Sequence, residues 1–197
     1  MRVLVACEFS GRVRDAFRRT GHYALSCDFR PTESSGYNHY QGDVKDIIND
    51  DWDLMVAHPP CTYLAVSGRA WWSKRQKEQG EALDFVQFLM DANIPRICIE
   101  NPISLISTKI RKPDQIIHPW MFGDGEKKAT CLWLKNLPKL IPDRVVTPVL
   151  ESFINSASGP NRAHDRSRTY PGIARAMAEQ WPTNNQTRKP MIRPSMV

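Results

Sequence analysis

Short apolar runs alternate with helical patterns along the first hundred residues of this 197-residue chain. Residues 2–7 read as a buried strand that runs into the turn Glu8-Phe9-Ser10-Gly11. Val13, Ala16 and Phe17 then recur at helical spacing as far as Gly21, a residue suited to end a helix. Residues 23–27 form a second predicted strand ending at Asp28. A polar loop follows, leading to Gly42-Asp43 and a short helix through Val44 and Ile47. Leu54–Ala57 is the next strand, ending at His58-Pro59-Pro60-Cys61. Residues 82–89 are the strongest helical stretch, and residues 96–99 are a further buried strand ending at Glu100-Asn101-Pro102. Later, residues 130–134 have strand character, and Pro171 opens a helix carrying Ile173, Ala174, Met177, Ala178 and Trp181.

Strands alternating with helices predict an α/β fold with a doubly wound, mostly parallel sheet. Such sheets bind ligands beyond the carboxyl ends of their strands. Phe9, Gly11, Asp28, Asp43, Cys61 and Glu100 all fall just after a predicted strand, so they are expected along one edge. Residues 1–181 are expected to form one domain. Residues 182–197 carry Arg188, Lys189 and Arg193 without an acid and read as a basic, flexible tail.

Composition narrows the class without naming it. An apolar fraction of 41% and a charged fraction of 24% are those of a water-soluble globular chain. No apolar run approaches the ~20 residues that span a bilayer, and the first apolar stretch is too short for a signal-peptide core. A cytoplasmic protein is the expectation. The five cysteines contain no CxxC pair, so neither a disulfide framework nor a zinc or other metal site is indicated. A net charge of +6 and a pI near 9.2 favour a polyanionic partner.

The chemistry concentrates at the strand ends. Gly11 allows close backbone approach, and the helix after it offers an N-terminus to polar or anionic groups. Asp28, seventeen positions on, ends the next strand, where an acid commonly binds ribose hydroxyls. The pair points to a nucleoside-containing cofactor. Asp43 either accepts from an adenine amino group or simply caps the short helix after it. Two prolines hold Cys61 in a rigid turn after a buried strand, a setting for a nucleophilic thiol. Glu100 ends a strand of buried character, where a carboxyl is expected to keep its proton; its plainer reading is a salt-bridged strand end. Together they supply what cytosine chemistry needs: a thiolate to attack C6 and a protonated carboxyl to support N3.

Pro59-Pro60-Cys61 resembles the Pro-Cys motif of the cytosine-5 DNA methyltransferases, and Glu100-Asn101-Pro102 resembles their Glu-Asn-Val motif, thirty-nine positions on. Glu8-Phe9-Ser10-Gly11 is similar to the family's cofactor loop, and the segment from Thr169 to Ala178 is similar to its closing helix. The likeness is greatest to compact methyltransferase-like proteins of phages and prophages. It implies a Rossmann-like fold and S-adenosylmethionine as cofactor, held by Phe9, Ser10, Gly11, Asp28, Asp43 and Pro59. It further implies methyl transfer to C5 of cytosine in DNA, with Cys61 and Glu100 catalytic. Arg69, Trp71, Trp72, Lys74 and Arg75 fall where the family has a loop that closes over an extruded base. Cations there neutralise phosphate and indoles stack on bases. An amphipathic helix with its tryptophans packed inward is the plainer reading of the same stretch.

The chain also departs from the family. Arg12 stands where a second glycine is usual, and Lys127-Lys128-Ala129-Thr130 occupies the region of a Gln-x-Arg-x-Arg motif. About 30 residues separate Leu134 from Arg166, too few for a separate target-recognition domain. Short or loosely defined sites, a protein partner or self-association, or loss of activity all remain open, as does RNA or a single strand as substrate. Two other readings stand beside this one: methylation of an exocyclic amine, for which Cys61 is not needed, and a non-catalytic nucleic-acid-binding protein that keeps the fold.

Overall fold

The structure, a computed structural model, describes residues 1–34, 37–148, 165 and 167–182, with only the backbone of Trp71. The predicted tail beyond Pro182 and most of the interval between Leu134 and Arg166 lie outside the described residues.

The strands are β1 (Arg2–Ala6), β2 (Tyr23–Asp28), β3 (His39–Gln41), β4 (Leu54–Ala57), β5 (Ile97–Pro102), β6 (Gln115–Ile117) and β7 (Thr130–Lys135). They form one sheet in the order β3-β2-β1-β4-β5-β7-β6, parallel throughout except for β7, which runs against both neighbours. The expected doubly wound, mostly parallel α/β architecture is therefore present. The helices are α1 (Arg12–Arg19), α2 (Gln76–Met90), the single turn α3 (Ile106–Lys109) and α4 (Pro171–Gln180).

Side chains alternate along a strand, so a sheet covered on both faces needs apolar residues at every position. β1 and β4 satisfy this. Val3, Val5, Leu54 and Val56 face one way, into a core with Val13 and Phe17 of α1 and Ile173, Met177 and Trp181 of the closing segment. Leu4, Ala6, Met55 and Ala57 face the other way, against Val86 and Leu89 of α2 and Trp133 of β7.

Two strands escape the sequence pattern. β3 is the polar triplet His-Tyr-Gln inside the expected loop, held because the His39 ring is 2.9 Å from Ser26 Oγ and its backbone pairs with β2. β6 is three residues long and exists only through its pairing with β7. The middle helix starts at Gln76, six residues before the apolar periodicity does.

Candidate active site at the carboxyl edge of the sheet

The sheet order reverses between β1 and β4, and the turns leaving these two strands flank the crevice that opens there. The β1 turn begins with Cys7 at φ 58°. Glu8 then donates its backbone N–H to Cys27 O at 3.0 Å and turns its carboxylate inward. That carboxylate accepts from the Ser10 hydroxyl at 3.3 Å and from the backbone N–H groups of Val13 at 2.7 Å and Arg14 at 3.2 Å. Burial raises the pKa of Glu8.

This corrects the expectation that the N-terminus of α1 is open to a ligand: the chain's own glutamate occupies it. Gly11 also acquires a structural reason. It sits at φ 71°, and a Cβ there would lie 2.5 Å from the guanidinium of the fully buried Arg14. Phe9 and Ser10 are buried, with the Arg30 guanidinium 5.2 Å from the centre of the Phe9 ring.

Asp28 and Asp43 come together, since Gly42 N–H donates to Asp28 O at 3.0 Å. Asp28 Oδ1 also accepts from Arg30 N–H at 2.9 Å. Asp43 caps the 3₁₀ turn Val44–Asp46, accepting from Lys45 N–H at 3.0 Å, so the capping role is real. Burial and then these two carboxylates push the Cys7 thiol upward and the Cys27 thiol up to about 12. Burial likewise raises Cys98, and raises Cys131 to about 11. Four of the five cysteines are thus held as thiols.

Cys61 lies in the turn after β4. The parallel register Met55↔Ile97, Val56↔Cys98, Ala57↔Ile99 carries His58 to the level of Glu100. The turn is anchored at three points. His58 N–H donates to Ala6 O at 2.9 Å. The buried Asn101 amide donates to Pro59 O at 2.8 Å. The Cys61 carbonyl accepts from Leu64 and Ala65 N–H at 3.0 and 2.9 Å. Cys61 itself is half-buried.

Glu100 requires a correction. Its Oε2 accepts from Nδ1–H of His58 at 2.9 Å, with side chains only 8% (His58) and 17% (Glu100) exposed. Burial alone would raise the pKa of Glu100. The bond to His58, its charge and that of Lys128 outweigh burial and hold the carboxyl below its ordinary value. Glu100 is a carboxylate rather than the protonated acid expected from burial. For His58, burial would lower the pKa, but the bond and charge of Glu100, with the charge of Glu8, raise it. Glu100 Oε1 has no hydrogen-bond partner among the described residues.

Sequence reasoning passed over four residues here. His58 and Asn101 stood inside the quoted motifs without a role, and Glu8 was the first residue of a turn. Lys128 comes near Glu100 because β7 runs antiparallel to β5, Glu100↔Leu132, a register invisible in the sequence.

The basic aromatic stretch is a 3₁₀ run, Val66–Lys74, leading into α2. Arg69, Lys74 and Arg75 are exposed and Trp72 is half-buried. Thr62, Tyr63, Gly68, Trp72, Arg75 and Gln79 line a cavity of about 300 Å³ beside the Cys61 turn. Arg75 lies over the Tyr63 ring at 5.3 Å. Farther along the chain, the basic residues Lys109, Arg111 and Lys112 lie on the surface, where Arg111 pairs with Asp114 at 2.7 Å. On the opposite side, the closing segment returns beside α1, where Thr169 O accepts from the Arg12 guanidinium at 2.9 Å.

The sheet order is that of a doubly wound α/β sheet with a single reversed strand. No protein-family model matches the chain. No curated protein matches it. Among solved structures it is similar to the Entamoeba histolytica methyltransferase EhMeth at 15% identity and a TM-score of 0.48, covering 78% of this chain and 58% of that one. It is also similar to a triple mutant of Spodoptera frugiperda DNMT2, at 15% identity and a TM-score of 0.47, covering 77% and 56%. A third is the 16S rRNA methylase RmtB, at 13% identity and a TM-score of 0.34, covering 68% and 54%. The chain therefore spans less than three fifths of the length of each of these proteins. Among the described residues no helix is long and apolar enough to cross a membrane.

Proposed function

We propose that this chain transfers a methyl group from S-adenosylmethionine to C5 of cytosine in DNA, through a covalent adduct on Cys61. The observation that carries the reading is the tie between Asn101 and Pro59, which fixes the Cys61 turn against the strand end bearing Glu100.

The edge suits this cofactor. Glu8 fills the helix N-terminus that would otherwise bind a phosphate, which disfavours dinucleotides and leaves room for a nucleoside without phosphate. Asp28 and Asp43 offer carboxylates to ribose hydroxyls and an adenine amino group, and Phe9, Ser10, Gly11 and Pro59 form the adjoining wall. The bound cofactor supplies an electrophilic methyl group on a positive sulfonium.

The protein's part follows from its geometry. Cys61, as thiolate, attacks C6 of an extruded cytosine. Glu100 meets N3 and the neighbouring amino group of the ring, which draws electrons toward N3 and makes C5 nucleophilic. After the methyl group reaches C5, loss of the C5 proton and elimination of the thiolate restore the ring. Arg69, Lys74 and Arg75 neutralise the substrate backbone, and Trp71 and Trp72 stack on exposed bases.

Incubation with labelled cofactor and oligonucleotides carrying 5-fluorocytosine tests this, because fluorine blocks the final elimination. The expected result is a cofactor-dependent adduct mapped to Cys61 and absent from Cys61→Ala. Parallel duplex DNA, single-stranded DNA and RNA arms identify the substrate. Methyl transfer that survives Cys61→Ala would instead mean amine methylation. Cofactor binding with no transfer to any arm would mean a non-catalytic binding protein.

A further inference from the structure

Glu100 is asked to offer a hydrogen to N3, yet in the resting site it is a carboxylate with one oxygen already accepting from His58. The proton must be held nearby. His58 is buried with its Nδ1 2.9 Å from Glu100 Oε2, and its Nε2 is buried with no partner among the described residues. A second bond at Nε2 would normally fix which ring nitrogen carries hydrogen. Here Glu100 alone decides. The charged groups around the ring are Glu100 from β5, Glu8 from the turn after β1 and Lys128 from the segment before β7. Two carboxyl groups against one ammonium favour an imidazolium.

We propose that His58 is a positioning residue that stores the proton which Glu100 presents to N3 of the target base. This rests on the reading of Glu100 as the group that meets N3. The thiol proton of Cys61 leaves to solvent beforehand. In the addition step the Cys61 Sγ–C6 bond forms and the C5=C6 π pair moves to C4–C5. The His58 Nδ1–H bond breaks as its proton passes to the Glu100 carboxylate, and Glu100 hands that proton on to N3 as the C4=N3 π pair takes it up. The imidazolium becomes a neutral imidazole carrying its hydrogen on Nε2. When the C5 proton is lost and the thiolate is eliminated, the N3 proton returns by the same route. No oxidant or further reactant is needed.

The test is single-turnover methyl transfer against pH for the wild type and His58→Asn, with cofactor affinity measured alongside. The Asn amide keeps a donor toward Glu100 but holds no titratable proton. The variant should lose about a hundredfold or more at neutral pH and recover toward acid pH, where Glu100 protonates directly, with cofactor affinity unchanged. An unchanged rate and profile, or an equal loss at every pH, overturns the inference while leaving the methyltransferase reading intact. Absence of transfer by the wild type overturns that reading first, and the inference with it. Should His58→Asn fail to fold, nitrogen NMR of the wild-type imidazole decides. An imidazolium at pH 7 supports the dyad, and a neutral ring at pH 7 refutes it.

Discussion

The bond from Asn101 to Pro59 makes a quantitative demand. Asn101 is 1% exposed, Pro59 is buried, and the bond is 2.8 Å long. Asn101→Ala leaves a buried carbonyl without that donor, at about 1–3 kcal/mol. Part of this is offset, because Asn101 Oδ1 is itself buried without a partner and disappears with the side chain. A net loss of about 1–2 kcal/mol corresponds to a fall in melting temperature of roughly 2–8 °C for a domain of this size. Asn101→Asp should cost more, since it turns an acceptor toward the Pro59 carbonyl and adds a carboxylate beside Glu100. The larger effect falls on chemistry. Displacing the Cys61 turn by about 1 Å is enough to slow adduct formation about a hundredfold. Thermal unfolding measures the first effect and single-turnover trapping on 5-fluorocytosine the second. If Asn101→Ala melts at the lower temperature but traps the base at the wild-type rate, the bond stabilises the fold without positioning the thiol.

Four further outcomes rest on the same geometry. Glu100→Gln should abolish methyl transfer and lower stability in urea unfolding below pH 6.5, where His58 would be left charged without its counter-charge, and less above it, where the ring sheds its proton. The dyad's contribution to stability has a defined window. Glu100, with its pKa depressed, contributes above its ordinary 4.5 and loses this as pH falls; His58, with its pKa raised, contributes below its ordinary 6.5 and loses this as pH rises. The melting-temperature gap between wild type and His58→Gln should therefore peak between pH 4.5 and 6.5 and narrow on both sides. Gly172→Ala should destabilise by at least about 1–3 kcal/mol in urea unfolding, since its Cβ would sit 2.1 Å from Phe122 O. Replacing Arg69 and Arg75 with Ala should weaken DNA binding and reduce its salt slope by roughly 2, read from titrations at several salt concentrations.

The central strands were legible because they are apolar at every position, the mark of a sheet covered on both faces. Their carboxyl ends were legible too, because Glu8, Asp28, the Pro-Pro turn and Glu100 each interrupt an apolar run. β3 and β6 were not legible. Three residues carry no period, and both are strands only because a longer neighbour offers its backbone. The site divides in the same way. Cys61 and Glu100 stood out by residue type, whereas the charge state of Glu100 depends on His58, three positions before Cys61 and just past the end of the neighbouring strand. Burial argued for a neutral acid, but a buried acid touching a basic ring follows the ring.

That pairing also bears on what the crevice accepts. Glu8, Asp28, Asp43 and Glu100 all lie along one edge of a protein with a net charge of +6. Arg14, Arg30 and Lys128 also reach this edge, whereas Arg69, Lys74 and Arg75 form an exposed positive stretch beyond the Cys61 turn. A polyanion is drawn to the second region and repelled from the first. A small cation that carries no phosphate finds the reverse. Under the proposed function, a substrate held by its backbone on one side and a positive cofactor held on the other would meet at Cys61, between the two regions. A site built to hold a nucleotide cofactor by its phosphates would need the opposite arrangement, with the helix N-terminus left open where Glu8 now fills it.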